Sequence, residues 1–177
     1  MIRVVAHDPA WSTWFEAEAE RIAEAVGEAV VRIHHIGSTA IPQTKAKPII
    51  DILMEVTSLG VLDRKAPMLE ALGYEVMGEF GIPDRRYFRL DDSDGTRTHQ
   101  VHAFEAGVPN VVRHLAFRDY MRAHPSVAGE YGALKERLAN AHPHDRAMYV
   151  DGKDGFVKEY ERRALLWASN IGVVPAA

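Results

Sequence analysis

The chain has 177 residues, 47% of them hydrophobic, which suffices for one domain with its own core, and no linker-like stretch divides it. It has no cysteine, which excludes disulfides, thiolate metal sites and cysteine nucleophiles, so any metal must be held by oxygen or imidazole. A net charge of −4 and a pI near 6.1 argue against a broad duplex-binding surface but leave room for a local basic pocket.

No apolar run long enough to span a bilayer is present, and positions 1–8 lack the basic-then-apolar pattern of a secretion signal. The expectation is a single cytoplasmic domain over residues 1–177 without a membrane segment. In chain order, Asp8-Pro9 reads as an N-cap with proline at the first helical position. Trp11, Phe15, Ala19, Ile22 and Val26 then recur at helical spacing as far as Gly27. Val30 to Ile36 is short and β-branched, a strand that runs into the Gly37-Ser38 turn. Pro42 and Pro48 bracket a loop carrying Lys45 and Lys47, and Pro48 to Val56 forms a second strand.

Val61 to Leu72 has helical character and stops at Gly73, a natural left-handed C-cap; Tyr74 to Phe80 reads as a third strand. Arg85 to Leu90 and Thr96 to Phe104 flank the turn-rich Asp91-Asp92-Ser93-Asp94-Gly95, which predicts an antiparallel hairpin. Helical patterns follow at 109–123, 125–140 and 153–170, two of them led by proline. A mixed sheet early and helices late indicate an α+β or α/β layered domain.

Alternation along the second strand puts Asp51, Leu53 and Glu55 on one face and Ile50, Ile52, Met54 and Val56 on the other, which is core. An Asp set among isoleucines is costly to bury unpaired, so Asp51 should face a cation, a donor or an open cleft. Gly37-Ser38 can aim backbone N–H groups at an anion where a Cβ would obstruct. Carboxylates two apart on a strand lie about 6.6 Å apart and can share a metal pair, but Leu53 stands where the second would be. Asp51 and Glu55 alone should not grip one ion, so further ligands would come from another strand, phosphate or water.

In the later hairpin, Thr98, Gln100, His102 and Phe104 share one face and Arg97, His99 and Val101 the other. His102 suits metal ligation, phosphate binding or proton relay, or else a sheet-buried histidine with one hydrogen bond. Lys45, Lys47, Arg85, Arg86 and Arg89 are candidate phosphate binders, led by Lys47 at the mouth of the Asp51 strand. Arg86 alternates with Phe88 and Leu90 and is expected on the core side, with Arg85 and Arg89 exposed.

The chain resembles the GrpB family, bacterial proteins of the nucleotidyltransferase superfamily, over nearly its full length. The resemblance rests on Asp8-Pro9 with Trp11 and Phe15, His35-Ile36-Gly37-Ser38-Thr39, and Lys47-Pro48-Ile49-Ile50-Asp51-Ile52. It continues through Gly73-Tyr74, the His99 to His102 block, Phe117-Arg118-Asp119-Tyr120, Tyr131 with Lys135, and Tyr149 with Lys153 and Phe156. It implies a nucleotidyltransferase-like mixed sheet flanked by helices, with a helical C-terminal part. In that superfamily a Gly-Ser turn precedes a strand bearing an Asp-x-Asp or Asp-x-Glu pair, with a third acid on a neighbouring strand. Gly37, Ser38 and Asp51 match, Leu53 departs, and Gln100 and His102 stand where the later acid and a His-x-His pattern would be.

The implied activity is transfer of a nucleotidyl group from a nucleoside triphosphate to a small-molecule acceptor. Gly37, Ser38, Thr39 and Lys47 would hold phosphates, Asp51 would bind Mg²⁺ or Mn²⁺, and His102 would act as general base or replacement ligand. The alternative is a non-catalytic nucleotide- or phosphometabolite-binding protein. A metal-dependent hydrolase using Asp51, His99 and His102 ranks last, because strand parity sets the histidines on opposite faces. Oligomeric state stays open.

Overall fold

The computed structural model describes residues 1–172: five helices and one five-stranded mixed sheet, an α+β fold. Strands β1 (Val30–Ile36), β2 (Ile50–Val56), β3 (Glu75–Val76), β4 (Arg86–Asp91) and β5 (Arg97–Glu105) lie in the order β1-β2-β5-β4-β3. β2 and β5 run parallel, and the other neighbouring pairs run antiparallel. No helix among the described residues is long and apolar enough to cross a membrane.

Helices α1 (Ala10–Val26) and α2 (Leu59–Ala71) cover one face of the sheet. Asp8 Oδ1 accepts from the Ala10 N–H at 2.9 Å and Pro9 is already helical, so the chain enters α1 as its Asp-Pro pair predicts. Ile50, Ile52, Met54 and Val56 of β2 pack with Trp11, Ile22 and Val26 of α1 and with Leu62 and Leu69 of α2. Burial of each such large side chain stabilises by about 1.5–3 kcal/mol. Ser58 starts α2, its hydroxyl accepting from the Val61 N–H at 3.1 Å.

The opposite face packs against a third helix. Helix α3 (Pro109–Ala123) sets Val111 against Ile36, Leu53 and Phe104, so Leu53 is 0% exposed and β2 is core on both faces along most of its length. Helices α4 (Pro125–Ala141) and α5 (Arg146–Asn170) pack beyond α3, with Ile41, Met121, Ala128, Phe156 and Tyr160 in one cluster. They leave the Asp51 end of β2 facing a cleft.

Three expectations need correction. Helix α5 begins at Arg146, seven residues before the predicted start; Asp145 caps it by accepting from the Met148 N–H at 3.0 Å. Its glycines conceal that start, yet a Cβ at Gly152 would collide with Leu138 of α4, so close helix packing outweighs low helix propensity there. The third strand shrinks to Glu75–Val76, because the chain turns away through Gly78 at φ 61° and Phe80 at φ 46°. Arg85 is buried at 7% exposed, whereas Arg86 lies on the α2 side of the sheet, as parity requires, but at its rim, where Nε meets Asp63 at 2.7 Å. Arg85 precedes β4, so alternation did not govern it.

Candidate active site

The site begins at the turn after β1. Gly37 has φ 70° and ψ −172°, a region essentially reserved for glycine. A Cβ there would stand 2.6 Å from Asp51 Oδ2, so glycine is needed twice over, for the backbone and for the carboxylate beside it. The turn is clamped from several sides. His35 Nε2 pairs with Thr39 Oγ1 at 2.9 Å, Arg118 of α3 donates to the His35 carbonyl at 3.2 Å, and Arg122 donates to the Ala40 carbonyl at 2.8 Å. Stacked on Phe15 at 4.8 Å, His35 is pushed down to about 4 by burial and by Arg122, so it stays a neutral brace.

Asp51 pairs with Gln100 across the parallel β2–β5 register, and Leu53 pairs with His102. The Asp51 side chain is 29% exposed and faces the cleft, with His102 Nε2 at 3.6 Å from Oδ1. Behind His102, Arg85 donates to Nδ1 at 3.4 Å while also holding the carbonyls of Phe80 at 2.8 Å and Glu79 at 3.1 Å. A guanidinium only donates, so Nδ1 accepts, and the neutral ring then carries its hydrogen on Nε2, towards Asp51. His114 lies 5.9 Å from His102 between ring centroids and is pushed down to about 3 by burial and by Arg113.

Facing Asp51 is a wall of basic side chains, three of them from the distant helices α4 and α5. Lys47, Lys135, Arg146 and Lys153 line the same cavity of about 200 Å³ as Ser38, Asp51, Gln100 and Tyr149. Lys135 of α4 is 2% exposed and donates to Ser38 Oγ at 2.5 Å, with its ammonium 4.3 Å above the Tyr131 ring. The Tyr149 ring holds two further ammonium groups, Lys47 at 5.2 Å and Lys153 at 5.1 Å from its centroid. Burial, reinforced by Lys153, pushes Lys135 down to about 6; burial and Lys47 push Lys153 down to about 8. Burial and Arg146 lower Lys47, and burial raises the Tyr149 hydroxyl to about 12. Among the described residues no carboxylate forms an ion pair with any of these four cations, and no three of His, Asp or Glu converge as a cation cage. The cavity is therefore electropositive, with a single carboxylate on its floor.

Of the predicted site residues, Ser38, Thr39, Lys47 and Asp51 line this cavity, Gly37 abuts Asp51, and His102 sits beside it. The Thr39 hydroxyl is taken by His35. Lys45 turns away to Glu136 at 2.6 Å, and Arg89 pairs with Glu75 at the sheet edge. His99 lies on the opposite face of β5 from His102, as parity predicts. Lys135, Arg146, Tyr149 and Lys153 received no role from the sequence. The available signal was a tyrosine followed four residues later by a lysine, Tyr131 to Lys135 and again Tyr149 to Lys153, which puts each pair on one helix face.

The sequence profile of the family described as GrpB protein matches residues 1–163. The chain belongs to the GrpB family. Its relative YqkA of Bacillus subtilis is 43% identical over 166 residues, covering 94% of this chain and 48% of that protein, so the chain spans about half of YqkA. The crystal structure of GrpB from Enterococcus faecalis shares the fold with a TM-score of 0.88 at 42% identity, over 93% of this chain and 98% of that one. Cid1, solved in complex with its short product ApU, matches with a TM-score of 0.55 at 11% identity, over 87% of this chain and 48% of Cid1. At that identity the likeness shows the fold alone, that of the nucleotidyltransferases.

Proposed function

We propose that the protein binds a nucleoside triphosphate in this cleft and transfers its nucleotidyl group to a small acceptor. The observation that carries this reading is the partly exposed Asp51 carboxylate beside the Gly37-Ser38 turn, facing Lys47, Lys135, Arg146 and Lys153 in one cavity. Lys47, Arg146 and Lys153 around one carboxylate, with Lys135 ready to take up a proton beside an anion, suit a ligand with several negative charges. The nucleotidyltransferase fold, shared at a distance with Cid1, supports a nucleotide as that ligand.

The donor set suits one Mg²⁺ or Mn²⁺ ion and not a pair. Asp51 faces the cavity and Gln100 offers a neutral amide oxygen, but Leu53 is sealed among Ile36, Phe104 and Val111. A single ion with Asp51, phosphate oxygens and water as ligands is normal for magnesium, and when bound it would withdraw charge from the phosphoryl oxygens. Lys47, Lys153 and Arg146 would hold the polyphosphate and neutralise the charge that grows on the departing pyrophosphate. Lys135, through Ser38, would fix the turn against it. With Arg85 on Nδ1, His102 turns its Nε2 hydrogen towards Asp51 across 3.6 Å without hydrogen-bonding it, and a general-base role requires the Arg85 contact to open.

A thermal-shift screen of nucleoside triphosphates with and without Mg²⁺ or Mn²⁺ tests the reading, since a ligand selecting the folded state raises Tm. A triphosphate that shifts Tm and releases pyrophosphate in the presence of an acceptor supports it; no shift with any triphosphate and either metal overturns it. The buried, apolar setting of Leu53 favours one second reading, a non-catalytic binder of nucleotides or phosphometabolites. That reading predicts the same Tm shift without pyrophosphate release under any metal.

A further inference from the structure

We infer that the cleft grips a bare polyphosphate chain, of two or more linked phosphates, through its own ammonium groups and with no divalent ion bound. The inference deepens the proposed nucleotide site and rests on that reading. It starts from a disagreement within the site. Two-ion nucleotidyl transfer uses its second ion to neutralise the phosphates, yet β2 presents one cleft-facing carboxylate, and position 53 is apolar core. The positive charge arrives from the other wall instead.

Tyr149 is the organising residue. Lys47 enters from the loop before β2 and Lys153 from the next turn of α5, and both ammonium groups sit about 5 Å from the Tyr149 ring. The ring face attracts both, offsetting part of their mutual repulsion. On α4, Tyr131 does the same for Lys135, which reaches Ser38 on the phosphate-sized turn. Two Tyr-to-Lys steps, one on each helix, thus aim ammonium groups into one space. Burial first, and then the charge of neighbouring lysines, lowers their proton affinities, and the Asp51 carboxylate offsets only part of this. A polyanion in the cavity would supply the missing partner.

Cavity size points the same way. About 200 Å³ is less than the roughly 300–1,000 Å³ typical of pockets that enclose a whole drug-sized ligand. The enclosed space therefore suits the phosphates, and a nucleoside would extend beyond it; Ile49 and Val150 are apolar side chains in the cavity lining. Most of the affinity should then belong to the phosphate chain and little to the base.

Isothermal titration of the full chain in EDTA, with orthophosphate, pyrophosphate and inorganic triphosphate as probes, tests this. Expected are saturable binding of pyrophosphate and triphosphate without metal, triphosphate binding at least about tenfold tighter than orthophosphate, and a further loss of about tenfold in Lys153→Met with Tm retained. Lys153→Arg should restore much of the affinity. Probes that bind only once Mg²⁺ is added would overturn the inference and leave the nucleotide reading standing. Failure of these probes and of nucleoside triphosphates, with and without Mg²⁺, would overturn both.

Discussion

Gly37 and Asp51 form one unit: the carboxylate of β2 fills the space that a side chain on the turn after β1 would need, with Oδ2 only 2.6 Å from where a Cβ would stand. Gly37→Ala should therefore lose about 1–3 kcal/mol from backbone strain alone, seen as a lower midpoint in denaturant. It should also displace Asp51 and weaken any ligand that Asp51 helps to hold. Unchanged stability and binding in that variant would separate the two residues.

Asp51→Asn removes the cavity's carboxylate while keeping its shape. Nucleotidyl transfer should fall by about 100-fold or more, in line with the loss of a group acting on transition-state charge, with circular dichroism and Tm close to wild type. Triphosphate binding in EDTA should hold or tighten, because the lost charge repels phosphate.

Leu53→Asp, which on sequence grounds would complete an Asp-x-Asp pair, should instead damage the fold. Leu53 has no exposed surface and packs with Ile36, Phe104 and Val111, so an unpaired carboxylate there should cost about 3–5 kcal/mol. Urea denaturation reads this directly; a stable variant with new Mg²⁺ affinity would show that the position opens to the cleft after all.

Stability should rise with pH from about 6 towards 10.5 through Lys135. Lys135 titrates near 6 in the folded chain against 10.5 in the unfolded one, so between those values the unfolded chain holds the extra proton and each rise in pH favours folding. His35, pushed from 6.5 to about 4, acts in the same sense over its lower window. Lys135→Met should be more stable than wild type, most strongly near pH 5.5 and less as pH rises towards 9. A Tm difference that grows with pH would contradict the lowered proton affinity of Lys135.

β1, β2 and the β4–β5 hairpin were legible because alternation and turn chemistry are local signals, and the Gly37-Ser38-Asp51 core of the site came with them. The cation wall was not, since Lys135, Arg146 and Lys153 meet Asp51 only through the packing of α4 and α5. On their own helices they look like ordinary solvated lysines and arginine. Gly152 hid the start of α5 for a related reason: its value lies in the approach of Leu138, which a single helix cannot report. Arg85 was misplaced because it precedes β4, where alternation stops applying, and its partners are the Glu79 and Phe80 carbonyls and His102.

A crystal structure with a non-hydrolysable nucleoside triphosphate analogue and Mn²⁺ bears most directly on the cleft. The phosphates should lie among Lys47, Lys135, Arg146 and Lys153, with one anomalous Mn²⁺ peak within coordination distance of Asp51. Phosphates bound elsewhere, or an analogue that leaves this cavity empty at saturating concentration, would contradict the assignment.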